Sequence, residues 1–505
     1  MTLRDTYTRN GSVWFAGDGH GGAHRPERET VDSVRRDLII LTGNAGPRRE
    51  RSASTLTRMA FADELEVKVS TIERLALEWY ELWMRQFGFT WDGNGSVMLD
   101  PERPQPPAVG VNAPLSVAEQ TRPMQENFRL FNNDLQELLL KFRGFYALEP
   151  HSVTVLEERI GGALSDVGDG ANSSVHDRLA LAFDPWLLEV MKLVDPDDWT
   201  GPAAAAFQNN FLGPFNRMGE IQKACVRELG LTAYGWNKAT EAAGKNLDEI
   251  ADACIYRMSH PSGLSNVAVH VLSITSLITG GLSFVPVVGI PAGAISLSTA
   301  VWTYMDTLNK QFEKKFDFYI EGNTPLEAVV STTEVLKEVD RQLAELDEDL
   351  AKALNEDLAG GDGFDHPNIR LPQPESSGDM GQLDMSRERM VTSIVRLHRA
   401  GSTNLPIIAD QYAAAASIIG GCLPPSGVVK FMGRSAAKFD TGVDMLVPVF
   451  RDTSDRATVA GEALVQTAKD YQLTDVERSE AMRQISEQQQ QPTWVGDEPE
   501  RASGV

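Results

Sequence analysis

Residues Asp197–Phe211 read DDWTGPAAAAFQNNF, and the order of residue types here governs the reading of the chain on both sides. Gly201 tolerates the positive φ of a tight reversal, Pro202 suits the first position of a helix, and Ala203–Ala206 favour the helix that follows. Trp199 is thereby left at the turn, placed to close the end of a helix pair. Upstream, VHDRLALAFDPWLLEVMKLV (Val175–Val194) predicts a first arm interrupted at Pro185. Downstream, Phe207, Phe211, Met218, Ile221 and Cys225 form an apolar seam at mostly helical steps, disturbed at Pro214. The continuation AYGWNKATEAAGKNLDEIADACI carries the helix to about Tyr256. One hairpin cannot cover such a seam, so another helix pair is expected against it.

A second pair lies near the end of the chain. KFMGRSAAKFDTGVDML (Lys430–Leu446) holds Phe431-x-Gly433 followed by Ala436, Ala437 and Phe439, an echo of the Trp199 turn with Phe in place of Trp. RERMVTSIVRLHRAGSTNLPIIADQYAAAASI supplies its first arm, with a break near Pro406, and DRATVAGEALVQTAKDYQLTDVERSEAM its second. On that second arm Tyr471 and Asp475 are expected four apart on one helical face. Trp91-Asp92-Gly93 repeats the spacing of Trp199 and Gly201. There, however, Asn94, Gly95 and a proline-bearing loop follow instead of a helix, which makes it a coincidence.

A Trp-x-Gly turn between helices, with a Tyr-x-x-x-Asp motif some forty positions beyond the matching turn, resembles the WXG-type substrates of type VII (ESX) secretion in actinobacteria and other Gram-positive bacteria. The likeness covers roughly residues 150 to 256 and 385 to 485. It implies helical hairpins that pair into a four-helix bundle, with Trp-x-Gly of one beside Tyr-x-x-x-Asp or Glu of the other. It also implies export directed by that composite surface through a membrane ATPase. Under the resemblance the turn is Trp199 and Gly201, the weaker turn Phe431 and Gly433, and the export pair Tyr471 and Asp475. The implied partners are the secretion ATPase or a chaperone, a second copy of the chain, or another WXG-type protein. The implied destination is the cell surface or exterior, after synthesis in the cytoplasm without a Sec signal peptide. Tyr234 is followed at the fourth position by Lys238, so the first hairpin has no export tail of its own. That asymmetry predicts two hairpins of one chain pairing with each other, with Trp199 near Tyr471.

Between the hairpins, Met258–Met305 contains no Asp, Glu, Lys or Arg. Its length suits two short membrane-crossing helices with a turn near Val285–Pro291. Ser, Thr, His270 and several glycines dilute its apolarity, and Gly-rich helices also pack closely inside soluble bundles. The expectation is a buried helical hairpin that becomes membrane-active, with Leu272, Leu277, Val288 and Ile295 as inserting residues. Beyond it Leu336, Val339, Leu343, Leu346, Leu350 and Leu354 recur at near-heptad spacing and predict an amphipathic helix over Pro325–Leu358. In FADELEVKVSTIERLALEWYELWMRQFG, Ile72, Leu75, Trp79 and Leu82 predict another helical stripe. The helical pattern returns from about Pro123 to Leu148.

Composition narrows the partners. The chain of 505 residues carries a formal charge of -24 without long runs of Lys or Arg, which argues against a nucleic-acid partner. Cys225, Cys254 and Cys422 are too widely spaced for a disulfide framework or a zinc site. His20 and His24 flank two glycines in a stretch expected to be a mobile loop, and RDLIILTGNAG lacks the Gly-Lys-Ser/Thr ending of a phosphate-binding loop. Asp362 and Asp365 are too loosely spaced for a calcium loop. With no Gly-x-Ser-x-Gly elbow and no paired metal motif, neither catalysis nor a cofactor is expected.

The expected fold is mainly α, with helical hairpins in an elongated four-helix-bundle-like core. The expected segments are a mobile N-terminal region (1–60), a helical segment with a Pro/Gly loop (61–149), and the WXG-like hairpin (150–258). Next come the apolar hairpin with its long helix (259–358), a linker (359–384), the C-terminal hairpin (385–485) and a disordered tail (486–505). The expected function is a secreted, non-catalytic interaction protein acting by docking or assembly. Two alternatives stand beside it: a membrane-perturbing or pore-forming effector using residues 264–304, and a phage or envelope structural protein.

Overall fold

Twelve of the thirteen described α-helices precede a last one that opens at Asp475, and two short strand pairs are set among them. In the computed structural model the described residues are 61–93, 95–101, 117–161, 174–194, 199, 202–261, 266–272, 274, 315–359, 363–372, 387–470 and 475–490. All belong to one compact unit, Met59–Val505. In chain order the first elements are α1 (Phe61–Gln86), β1 (Phe89–Trp91), β2 (Val97–Leu99), α2 (Val117–Gly144) and α3 (Pro150–Ile160). The first hairpin comprises α4 (Val175–Leu181), α5 (Leu188–Leu193), α6 (Pro202–Phe207) and α7 (Gly213–Ser259). Strands β3 (Asn266–Leu272) and β4 (Lys315–Glu321) precede α8 (Pro325–Ala359). The last elements are α9 (Arg387–Arg399), α10 (Leu405–Gly420), α11 (Ser426–Phe431), α12 (Gly433–Asp470) and α13 (Asp475–Gln490). The fold is therefore mainly α.

Helix α7 is the axis of the packing. Every residue from Glu228 to Asn237 is buried, a run of nearly three turns with no exposed face, as expected of a helix covered on most sides. On one side α1 approaches, with Lys68 2.5 Å from Asp248 and 2.6 Å from Asp252. On another, Asn237 of α7 donates to Glu157 of α3 at 2.8 Å. The contacts with α12 run in opposite order along the two helices. Trp236 meets Ser435, Leu229 faces Gly442, and Gln222 meets Thr453. The two hairpins therefore lie antiparallel against each other and share a core.

Helix α8 follows its apolar period closely. Leu336, Val339, Leu343, Leu346, Leu350 and Leu354 are all buried, while Glu334, Lys337 and Arg341 are exposed and pair along the outer face. In α1 the stripe runs through Leu65, Val69, Ile72, Ala76, Trp79 and Tyr80; Leu82, expected within it, is exposed. The stripe continues through Tyr80 and Met84, four residues apart, which leaves Leu82 on the outer face; Tyr80 stacks on Phe131 of α2 at 4.2 Å. Breaks occur where proline removes a helical donor. A π-helical turn at Ala182–Leu187 contains Pro185, and Pro214 and Pro406 each open the next helix after such a turn.

The Trp91-x-Gly93 repeat is a β-hairpin. Gly93 and Gly95 have φ of 79° and 90°, Trp91 pairs with Val97, and Gln125 of α2 accepts from Val97 N and donates to Gly95 O. The expected linker 359–384 is not free chain in its described part, residues 363–372. Phe364 packs on Gly442 and Leu229, and Ile369 and Leu371 are buried, so a Gly- and Pro-rich composition conceals a strap held by three apolar anchors. Helix α13 continues to Gln490, beyond the expected boundary at 485, because its polar side chains are compatible with an exposed helix.

Within the second hairpin α10 and α12 pack antiparallel, and the π-helical turn Ala400–Asn404 that leads into α10 meets α12 at a glycine crossing. A Cβ built on Gly461 would lie 2.7 Å from the carbonyl oxygen of Gly401. Gly461→Ala is therefore expected to lower stability by about 1–3 kcal/mol, read as a lower urea midpoint. Gly433→Ala, where a Cβ meets nothing within 4 Å, should leave the midpoint unchanged or raise it.

Candidate functional site

The Trp199 turn lies between α5 and α6, where the sequence places it. Trp199 is buried, with its ring 5.9 Å from Phe207. Gln208 donates to the carbonyl of Val194 at 2.6 Å and ties the start of one arm to the end of the other. Ring contacts then continue from Phe207 to Phe211 (5.1 Å), Phe215 (5.5 Å), Tyr412 (5.9 Å) and Phe450 (6.0 Å). A file of aromatic rings thus joins the Trp199 turn to both arms of the second hairpin. Helical spacing from α6 through the π-helical turn Gln208–Leu212 into α7 produces the first part of the file, since Phe207, Phe211 and Phe215 are four residues apart. Gly201 lies outside the described residues.

Phe431 and Gly433 do a different job from Trp199 and its glycine. Phe431 ends α11 and stacks on Phe145 at 5.2 Å, with the ring planes 2° apart. Lys430 donates to the Gly144 carbonyl, and a Cβ on Gly427 would overlap the carbonyl of Ala147. This corner docks the second hairpin onto the end of α2. Gly433 opens α12 with no positive φ and no steric need for glycine. The N-terminus of α12 is capped instead from another helix. Asp347 of α8 accepts from Ser435 N and Ser435 Oγ, each at 2.7 Å, and from Arg434 N at 3.1 Å. A carboxylate at a helix start satisfies unpaired N–H groups and opposes the positive end of the helix dipole.

The expected export pair does not lie on one described helix. Helix α12 ends at Asp470 and Asp475 opens α13, while Tyr471 lies outside the described residues. The pairing of Trp199 with Tyr471 is outside them for the same reason.

The described start of the apolar segment is a strand, in place of the expected helix, and it pairs with a strand that begins beyond the segment's end. β3 pairs antiparallel with β4 in a register that sets Asn266 opposite Glu321 and Leu272 opposite Lys315. Val267, Val269 and Val271 alternate along β3, and β-branched side chains suit a pleated ribbon better than a helix. Leu272, expected to insert into a membrane, is half-buried in this ribbon and held at the backbone. Asn246 of α7 accepts from Leu272 N at 2.7 Å and donates to Leu272 O at 2.9 Å. Gln342 of α8 accepts from Ile274 N at 2.9 Å. At the other end of the ribbon Arg257, buried beneath the Trp79 ring, donates to the carbonyl of Gly322. Leu277, Val288 and Ile295 lie outside the described residues. Among the described residues no helix is long and apolar enough to cross a membrane.

A buried glutamate of α7, Glu228, faces a half-buried aspartate, Asp357, near the end of α8. Burial holds the Glu228 carboxyl well above the ordinary carboxylate range, with the charge of Asp357 adding to it. Burial likewise pushes Asp357 up to about 7, reinforced by Glu356. Burial, with these two acids nearby, also keeps the Cys225 thiol well above its usual value. Asp357 binds its proton more tightly folded than unfolded between about pH 4 and pH 7, so its contribution is present at low pH and lost as pH rises through that window. Asp357→Asn should therefore gain stability over the wild type progressively from pH 5 to pH 8 in urea melts; a constant difference across that range would refute the assignment.

Sequence reasoning missed Asp347, Asn246 and Glu228. The available signal was a polar residue on the apolar face of an otherwise regular helix; their partners lie far along the chain. Among the described residues no group of three or more His, Cys, Asp or Glu side chains is placed to hold a metal ion. Comparison with protein-family models, curated proteins and solved structures finds no match to this chain.

Proposed function

We propose that this chain is a type VII (ESX) secretion substrate of the WXG type, a non-catalytic docking protein in which two helical hairpins are fused. The aromatic file from Trp199 to Phe450 carries the reading, because it gives the two hairpins one shared core within a single chain. In this proposal the fused core takes the place of a separate folding partner. Tyr471, with Asp475 at the start of α13, then serves as the signal read by the secretion ATPase. The test is the fraction of full-length protein in culture filtrate from a host with an active type VII system. Wild type should be exported, and Tyr471→Ala should stay inside at normal abundance. Retention of both, or export of both, would end this reading.

A second reading, a membrane-perturbing effector, is favoured by the β3–β4 ribbon. The ribbon brings together the entrance and exit of a segment that is free of charge from Met258 to Met305. Dye release from anionic liposomes, abolished by Leu277→Asp with Val288→Asp, would support it. Release unaffected by the two substitutions, or no release by the wild type, would exclude it.

A further inference from the structure

We infer that a cleft bounded by the start of α7, the strap 363–372 and α12 binds a small oxyanion ligand, one bearing a phosphoryl or carboxylate group. The cleft has a volume of about 590 Å³, within the range of small-molecule sites. Three guanidinium-bearing side chains line it, one from each element: Arg217, Arg370 and Arg456. No Asp or Glu is among its lining residues, in a chain with 71 acidic and 47 basic residues.

The arginines are held at the cleft by their backbones' packing. In the strap, Ile369 and Leu371 are buried and Arg370 between them is exposed, so the alternation turns Arg370 outward. Gln222 donates to the Ile369 carbonyl at 2.8 Å, and Pro367 and Pro372 restrict the strap on either side. On α7, Met218 points into the core and leaves Arg217 exposed. On α12, Arg456 donates its Nε to Asp452 at 3.0 Å. That bond orients the guanidinium and leaves its two terminal amino groups for a ligand.

Charge supplies the chemical class. Among the described residues Arg217 and Arg370 have no ion-pair partner, as is also true of Arg122, Arg129 and Arg451, while Arg456 is paired with Asp452 at 3.0 Å; what sets Arg217 and Arg370 apart is that both line one cleft. Like charges around one cleft repel, and an anion between them removes that repulsion. Planar guanidinium groups also match the paired oxygens of phosphate and carboxylate, which a single ammonium group does not.

Calorimetric titration of the full chain tests the proposal, with inorganic pyrophosphate in one arm and citrate in the other, at low salt. Saturable one-to-one binding is expected in at least one arm. Arg217→Gln and Arg370→Gln should each weaken it by about tenfold or more, while Arg451→Gln, an exposed arginine of α12 outside the cleft, should not. Tighter binding of pyrophosphate assigns a phosphoryl ligand, tighter binding of citrate a carboxylate, and equal binding the shared oxyanion chemistry. Absence of binding in both arms would overturn the proposal, as would equal weakening by Arg451→Gln. Urea midpoints of the variants matching the wild type confirm that the loss lies at the cleft.

Discussion

Replacing Trp236 by alanine is expected to lower the unfolding free energy by about 3–5 kcal/mol, the largest loss from any single residue of the shared core. Trp236 is fully buried at the contact of α7 with α12, with its ring 5.1 Å from Phe439 and its Nε1 donating to Ser435 Oγ at 3.0 Å. Alanine removes the ring from both helices at once and leaves a void that two rigid helices cannot close. Trp236→Phe separates the two contributions: it keeps much of the apolar contact and loses the donor, for an expected cost of about 1–2 kcal/mol. Guanidinium denaturation of both variants checks this, and a loss below about 1 kcal/mol for alanine would mean that the hairpins do not depend on this contact.

Asp347→Ala should cost about 3 kcal/mol, through a different mechanism. Its carboxylate accepts two backbone N–H groups and one hydroxyl at the start of α12; alanine leaves the buried Ser435 N–H without an acceptor and uncaps Arg434 N, while Ser435 Oγ keeps the Met432 carbonyl at 3.1 Å. Asp347→Asn, which keeps one oxygen but no charge, should fall between the wild type and alanine. Ser435 links this site to Trp236, so the double variant should lose less than the sum of the two single losses. Simple additivity would show that the hydrogen-bonded chain Trp236–Ser435–Asp347 does not act as a unit.

Those features were legible in the sequence to the extent that they are local. The six apolar positions of α8 recur every three or four residues, and water sorts such a pattern onto the buried side whatever the helix packs against. Pro185, Pro214 and Pro406 marked real breaks because a missing N–H acts on its own helix. The Trp199 turn was legible for the same reason, whereas the echo at Phe431 misled. Its residue types match the turn, but Phe431 serves as a docking ring for Phe145, which is far away along the chain.

Non-local pairing explains the other misreadings. β3 was hidden in an apolar run because its partner strand begins beyond residue 314, and an isolated two-stranded ribbon has no local signal as strong as helical periodicity. The alternation of Val267, Val269 and Val271 was the clue, outweighed by continuous apolarity. Arg217, Arg370 and Arg456 converge from three distant elements, so no motif scan would have grouped them. The strap 363–372 looked like a linker because the surrounding stretch 359–384 is rich in glycine, proline and aspartate, although three well-placed apolar residues suffice to hold it down.

The β3–β4 ribbon has a consequence for how this chain can change over time. Leu272 and Lys315 are cross-strand neighbours, so whatever connects them starts and finishes at one place on the body. Closing a flexible connection costs only about 0.6 kcal/mol more for each doubling of its length. The ribbon acts as a socket: Asn246, Gln342 and Arg257 fasten Leu272, Ile274 and Gly322 to α7 and α8, so the register of β3 on β4 does not depend on the length of chain joining them. Variation among descendants of this sequence should therefore accumulate inside the socket and be sparse at its three fastenings.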